Sequence, residues 1–315
     1  MTLILGGNFI EINRAVLYNF LKLGRFHFVF GGFILFVLGA LMALLFGAEL
    51  DYGRLIFGYL ILFFAHLSVS YSNDYFDVEV DKYNKPTLFT GGSGILVQYP
   101  ELRDFSKLFA ILLILISIIL AIIFLFVYSF PASFLIFIII GNMLGWYYSA
   151  PPVRLVSRGL GEISTMFTAG ILLPGMGYFI MNGGFDSRFL IFVLPLLFYG
   201  LAFIINVEIP DMEGDIAGKK YTLITKYDRK FGYTIIAFLF TIASVYFFLL
   251  FFIIESIINF MVVGLISLLP LLVGFWGAIK RPLIKDLASK LVTINIISFI
   301  FFVVILDLYF IWLMI

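Results

Sequence analysis

Nine stretches of this sequence are apolar over a length that crosses a bilayer, near residues 26–47, 55–73, 106–127, 131–148, 160–181, 189–207, 231–253, 257–279 and 291–314. A hydrocarbon core about 30 Å thick takes roughly 17 to 25 helical residues. Within lipid the backbone has no water to bond to, so segments of this length read as α-helices. A water-soluble alternative fails on composition: 12% of the residues are charged and 63% are hydrophobic, whereas soluble domains carry about a quarter charged residues. The expected fold class is therefore all-α, a polytopic membrane protein with nine transmembrane helices in a single membrane domain spanning 1–315.

The connections between these stretches set the orientation. The first, third, fifth and seventh are short and carry few charges; the second, fourth, sixth and eighth are longer and polar. Eighteen of the 20 Lys and Arg residues lie on the side of the N-terminal segment and the even-numbered connections, and only Arg54 and Arg188 lie on the other. Positive residues are retained inside, so the N-terminus is expected in the cytoplasm and the C-terminus outside. Glu11, Arg14 and Lys22 interrupt the N-terminal segment, which does not read as a cleavable signal. Within it Phe9, Ile12, Val16, Phe20 and Leu23 recur at helical spacing and predict a helix lying in the membrane interface.

Residue types narrow the chemistry. The chain has no cysteine and only two histidines, which excludes disulfides, thiolate catalysis and multi-histidine metal sites. Any metal must be held by oxygen, as Mg²⁺ is. The net charge of +1 gives no sign of a nucleic-acid partner.

The second span runs into Asn73-Asp74-Tyr75-Phe76-Asp77 and on to Asp81; the sixth, four spans later, runs into Asn206 and then Asp211 and Asp215. The recurrence suggests a pseudo-repeat, 24–150 and 158–280, followed by a ninth helix at 291–315. On a helix Asn73, Asp77 and Asp81 drift only about 40° per step and share a face, with Asp74 beside them, and Asp211 and Asp215 repeat the spacing. Carboxylates gathered at a membrane interface repel one another unless a cation sits among them. Mg²⁺ binds through one or two carboxylates plus phosphate oxygens, so two acidic helix ends facing each other suit a diphosphate held through metal ions. Their plainer alternative is ordinary loop charge at span ends, which does not explain the repetition on one side. Lys82, Lys85, Lys219, Lys220 and Arg154 stand near the clusters and are candidates for phosphate oxygens. The segment 82–104, with Pro86, Gly91, Gly92 and Gly94, is suited to closing over such a site.

These residues resemble the UbiA superfamily of intramembrane prenyltransferases. Asn73-Asp74-x-x-Asp77-x-x-x-Asp81 and Asp211-x-x-x-Asp215 look like its two aspartate-rich motifs, and Tyr148-Ser-Ala-Pro151-Pro152-Val-Arg154-Leu looks like its third cytoplasmic motif. Lys85-Pro86-Thr87, Gly159-Leu-Gly161-Glu162 and Gly218-Lys219-x-x-Thr222 fit as well, and Arg25 is similar to a basic residue often found at the start of the first span. The resemblance implies a bundle around a central cavity, with Mg²⁺ held by Asn73, Asp74, Asp77, Asp81, Asp211 and Asp215. It implies catalytic roles for Asn73, Asp77, Asp81, Asp211 and Asp215, and diphosphate binding by Arg25, Lys85, Tyr148, Arg154 and Lys219. The donor it implies is a polyprenyl diphosphate, geranylgeranyl or longer, with its tail among the spans and the membrane lipid.

For the acceptor, Gly161-Glu162-Ile163 and the Gly-Gly-Ser-Gly run at 91–94 look more like the branch that prenylates dihydroxynaphthoate for menaquinone. Glu213-Gly214-Asp215 also resembles archaeal enzymes that alkylate geranylgeranylglyceryl phosphate. The expected function is Mg²⁺-dependent prenyl transfer to an aromatic quinone precursor at the cytoplasmic side of the cell membrane, with the glyceryl phosphate acceptor as the alternative. His66, about two turns before Asp74, is the candidate acceptor contact. A cation-coupled transporter is the rival of another class; it predicts carboxylates near the bilayer midplane, whereas these lie at span ends.

Overall fold

The computed structural model describes residues 2–5, 8–11 and 14–315. Among these, nine helices are long and apolar enough to cross a membrane. Two short antiparallel strands, β1 (Thr2–Leu5) and β2 (Asn8–Glu11), precede them. The predicted interfacial helix begins at Arg14 and is shorter than its periodicity suggested. As α1 (Arg14–Leu23) it includes Val16, Phe20 and Leu23, whereas Phe9 belongs to β2 and Ile12 lies outside the described residues. The hairpin competes for the first apolar residues of that pattern because strand pairing satisfies their backbone groups equally well.

The spans are α2 (Phe26–Leu45), α3 (Tyr52–Asp81), α4 (Arg103–Val127), α5 (Ala132–Ser149), α6 (Gly161–Asn182), α7 (Ser187–Ala217), α8 (Arg229–Ile253), α9 (Phe260–Lys280) and α10 (Lys285–Met314). α3 packs on α4 and α5, α6 on α2 and α7, and α8 on α7 and α9. The ninth span, α10, returns to pack on the first, α2, and so closes the assembly.

Packing in lipid relies on close approach and on buried polar groups more than on apolarity, and α4 is an example. Its inner face is Ser106, Ala110, Leu113, Ser117 and Ala121, while Leu108, Leu112, Leu115 and Ile119 are exposed. Ser106 donates to the Tyr71 carbonyl (2.9 Å) and Ser117 to that of Ile61 (3.0 Å), tying α4 to α3. Where α2 crosses α6, Gly39 lies against the Pro174 carbonyl and Gly177 against that of Phe36, leaving no room for a Cβ on either.

A proline inside a span leaves the carbonyl four residues before it without its helical donor, and at Pro195 a neighbouring side chain supplies a replacement. Pro195 has no N–H for Ile191, whose carbonyl accepts from the Tyr246 hydroxyl at 3.0 Å. Around Pro210 the buried Arg229 donates to the carbonyls of Ile209 (2.8 Å) and Pro210 (3.4 Å). Arg229 also donates to Leu283 O and pairs with Glu213. It thus ties the end of α7 to α8 and to the segment that leads into α10.

Candidate active site

α3 has 30 residues and α7 has 31. At 1.5 Å per residue each is about 45 Å long, against about 30 Å of hydrocarbon. The excess turns carry the two acidic motifs as continuous helix beyond the apolar zone. Asn73, Asp74, Asp77 and Asp81 occupy the end of α3, and Asp211 and Asp215 the end of α7.

Two cations connect the motifs. Lys220 lies in the field of Asp215, Asp77 and Asp211, with its Nζ 3.9 Å from Asp215 Oδ1. Burial works against the Lys220 ammonium, yet these carboxylates outweigh it and hold the group above its ordinary value of 10.5. Arg25 lies in the field of Asp74, Asp81 and Asp211, where burial prevails and lowers it from its ordinary value. One guanidinium nitrogen of Arg25 is buried without a hydrogen-bond partner among the described residues.

The connection between α3 and α4 folds down onto this charged ground. The backbone N–H of Gly91 donates to Asp211 Oδ2 at 2.7 Å, and the Ser93 hydroxyl donates to Asp74. Gly92, at φ +64°, is pressed against the Asp81 carboxylate, and Gly91 has φ +79°. The loop therefore bonds to both motifs at once, and its two glycines adopt the left-handed backbone this requires. Ser149, at the end of α5, donates to Asp77 Oδ2 at 2.7 Å. Asn84 packs against Gly214 and accepts from Lys285 at 3.3 Å.

The remaining candidates separate by position. Tyr148 stands among Lys220, Glu208, Thr165 and Asp77, beside the acidic ends. Lys85 and Arg154 are exposed. Lys219 is also exposed, while its neighbour Lys220 reaches the site; Lys219 has φ +55°, and the turn it makes sends the two lysines in different directions. His66 packs against Gly32 of α2; eight residues of helix, about 12 Å, separate it from Asp74.

Several residues of the site were not singled out from the sequence, namely Ser93, Ser149 and Glu208. Glu208 lies one turn before Asp211 on the same helix. It is 4% exposed, and neither carboxylate oxygen has a hydrogen-bond partner among the described residues. An acidic residue in an otherwise apolar run, three positions before a motif aspartate, was the available signal.

No group of three or more Asp, Glu, His or Cys side chains among the described residues forms a ready metal cage. The donor set nevertheless fits Mg²⁺, which takes one or two protein carboxylates and completes its shell with phosphate oxygens and water. The oxygens present are those of carboxylates and Asn73, and Asn73 Oδ1 and Asp211 Oδ1 are buried with no hydrogen-bond partner among the described residues. Toward the apolar side, the Arg25 guanidinium lies 4.4 Å from the Phe28 ring centroid. Phe28 meets Phe89 edge-on at 6.0 Å and Phe203 at 6.3 Å, and Phe89 comes from the closing loop. The arrangement can hold a polyanion between two acidic helix ends, with aromatic faces alongside.

A family model described as the UbiA prenyltransferase family matches residues 33–304. A UbiA homologue from Archaeoglobus fulgidus, solved with GPP and Mg²⁺, is similar with a TM-score of 0.64 at 17% identity, over 93% of this chain and 99% of that one. A digeranylgeranylglyceryl phosphate synthase is similar with a TM-score of 0.61 at 18% identity, over 93% of this chain and 97% of that one. The apo structure of a UbiA homologue from Aeropyrum pernix K1 matches with a TM-score of 0.60 at 13% identity, over 84% of this chain and 96% of that one. No curated protein matches the sequence significantly.

Proposed function

This chain belongs to the UbiA prenyltransferase family, and we propose that it moves a polyprenyl group from its diphosphate to an aromatic quinone precursor, in a Mg²⁺-dependent reaction at the cytoplasmic face of the cell membrane. One observation carries the reading: two acidic helix ends converge on Lys220 and Arg25 beneath a loop bonded to both. Support for the donor and metal comes from the Archaeoglobus fulgidus homologue, which holds GPP and Mg²⁺.

Asn73, Asp74, Asp77, Asp81, Asp211 and Asp215 would hold Mg²⁺, which when bound supplies positive charge to the diphosphate oxygens. Lys220 adds a fixed ammonium at the second motif, and Arg25 a guanidinium between the motifs. As the allylic C–O bond weakens, positive charge grows on the prenyl carbon; Phe28, Phe89 and Phe203 offer ring faces that favour it. The Gly91–Gly94 loop excludes water, which would otherwise capture that carbon. The acceptor carbon then forms the new bond, diphosphate departs, and the displaced ring proton leaves to solvent or a nearby base.

The aromatic acceptor is supported by the Gly91-Gly92-Ser93-Gly94 run and by Glu162, whose resemblances are to the dihydroxynaphthoate branch. A second reading, geranylgeranylglyceryl phosphate as acceptor, is favoured by the Glu213-Gly214-Asp215 form. The experiment is an acceptor screen with purified protein, radiolabelled geranylgeranyl diphosphate and Mg²⁺. EDTA-sensitive label on 1,4-dihydroxy-2-naphthoate is the expected result. Label on the glyceryl phosphate instead replaces the acceptor, and the absence of any metal-dependent diphosphate release with donors of several lengths overturns the enzyme reading.

A further inference from the structure

Asn84 stands where the chain leaves α3, three residues beyond Asp81, and its backbone N–H donates to the Asp81 carbonyl at 3.1 Å. It is 8% exposed, and its side chain reaches the other acidic helix. A Cβ on Gly214 would lie 2.1 Å from Asn84 Oδ1, 2.4 Å from Cγ and 2.5 Å from Nδ2. The amide is therefore laid against the backbone of α7 between Glu213 and Asp215, in space that a glycine leaves open.

Two charged groups bond this amide. Lys285, the first residue of α10, donates from Nζ to Asn84 Oδ1 at 3.3 Å, and the Asp215 carboxylate bonds the same side chain. An ammonium has only donors, and an ionised carboxylate only acceptors. The two charges therefore fix the amide in one direction, with Oδ1 toward Lys285 and Nδ2 toward Asp215. Reversed, it would set an oxygen against the carboxylate and a donor against the ammonium. Lys285 is half-buried, and the chain just before it is tied down as well, since Leu283 O accepts from Arg229.

Asp215 also has the Lys220 ammonium 3.9 Å from Oδ1. That is an ion pair beyond hydrogen-bond reach, so it attracts the carboxylate without setting its direction. A carboxylate has about four lone-pair sites, and the Asn84 bond leaves others free for a metal ion. Carboxylates that bind metal are oriented by the groups bonded to their remaining lone pairs.

We infer that Asn84 is a positioning residue of the second acidic motif, aiming Asp215 at the space between the motifs, and that Lys285 acts through Asn84 by fixing its amide. The inference rests on the metal-binding reading of the motifs and deepens it. It gives the connection before the ninth span a part in the site. Charge alone makes the opposite prediction for Lys285. It lies in the field of Asp211 and Glu213, so as a bare cation it repels a metal ion, and removing it would tighten metal binding. As the group that holds Asn84, its removal loosens metal binding.

The test is a double-mutant cycle read on metal binding, without turnover. Wild-type protein, Asn84→Leu, Lys285→Met, Lys285→Arg and the Asn84→Leu/Lys285→Met pair are titrated with Mn²⁺ alone in phosphatidylcholine nanodiscs. Mn²⁺ stands in for Mg²⁺, and its free ion is counted by electron paramagnetic resonance. Asp215→Ala defines the binding that belongs to the motif. Asn84→Leu is expected to raise the apparent Mn²⁺ Kd about 10- to 100-fold, the range for losing a group that orients a metal ligand. Lys285→Met should raise it too, and Lys285→Arg should keep the wild-type value. The pair should bind no more weakly than Asn84→Leu alone, because the two residues act in series. An unchanged Kd in Asn84→Leu overturns the inference. Tighter binding in Lys285→Met, or a pair weaker than Asn84→Leu by the full Lys285→Met factor, shows Lys285 acting on its own and overturns the link between them. Should Asn84→Leu not fold, the direction of the shift in Lys285→Met decides alone. A wild type without Mn²⁺ binding that depends on Asp215 overturns the metal reading beneath.

Discussion

Replacing Gly92 with alanine tests whether the loop after α3 is part of the site. At φ +64° the added Cβ sits 2.6 Å from Asp81 Cγ and 2.8 Å from Oδ1. The left-handed backbone alone costs an L-residue about 1–2 kcal/mol, and Asp81 must also move to make room. Gly92 lies between the Gly91 N–H bonded to Asp211 and the Ser93 hydroxyl bonded to Asp74, so the strain acts directly on the closed loop. A cost of one to two kcal/mol lowers the closed population relative to the open one about 5- to 30-fold. The assay is steady-state transfer from labelled geranylgeranyl diphosphate, with prenyl alcohol from water capture measured in parallel. We expect donor KM to rise within that range and the ratio of hydrolysis to transfer to rise with it. Gly183→Ala is the control: it has φ +78° and nothing within 4 Å of its added Cβ, in the turn between α6 and α7 at the other end of the bundle. It should lower thermal stability and leave both kinetic quantities alone. If Gly92→Ala behaves like Gly183→Ala, the loop is not a working part of the site.

Other substitutions separate charge from scaffold. Asp77→Ala or Asp215→Ala should abolish transfer while the protein stays monodisperse in detergent; a wild-type rate in either would remove that residue from the metal set. Lys220→Met should raise donor KM by about tenfold or more, as expected for losing a charged contact. Because the folded-state value of Lys220 is raised above 10.5, its stabilising charge is complete below that ordinary value and is lost only as pH climbs through the raised one. Donor binding should therefore show no Lys220-dependent change between about pH 6 and 9, and a basic limb in that window that disappears in Lys220→Met would contradict the assignment. Arg229→Met leaves the carbonyls of Ile209, Pro210 and Leu283 without that donor, a cost of about 3 kcal/mol. It should melt earlier in a thermal scan, and unchanged melting would show that the end of α7 does not depend on the clamp.

Much of the fold is present in local pattern. Each span announces itself by length and apolarity, because the bilayer admits few other structures, and the Lys/Arg asymmetry divides the connections consistently. The motif faces were legible for a similar reason: a period of 3.6 residues puts Asn73, Asp77 and Asp81 on one side of α3 whatever surrounds them. The N-terminal segment marks a boundary to this, since its helical spacing was interrupted by strand pairing at Phe9.

What only the tertiary structure decided lies mostly where the chain leaves its helices. Lys219 and Lys220 are equivalent as letters, yet one left-handed residue leaves the first exposed and sets the second beside Asp215. Ser93 and Ser149 stand inside segments that the sequence marks, yet nothing in those segments assigns either a role; they become site residues because a loop and a helix end arrive at Asp74 and Asp77 from elsewhere in the chain. Arg229 counts as one more basic residue at a span end until α7 brings it two carbonyls near a proline. Periodicity is a property of neighbours along the chain, so the sequence determined the spans and the faces of the acidic motifs. Which side chains meet across them depends on loop dihedrals and helix docking, for which the sequence offers no repeating signal.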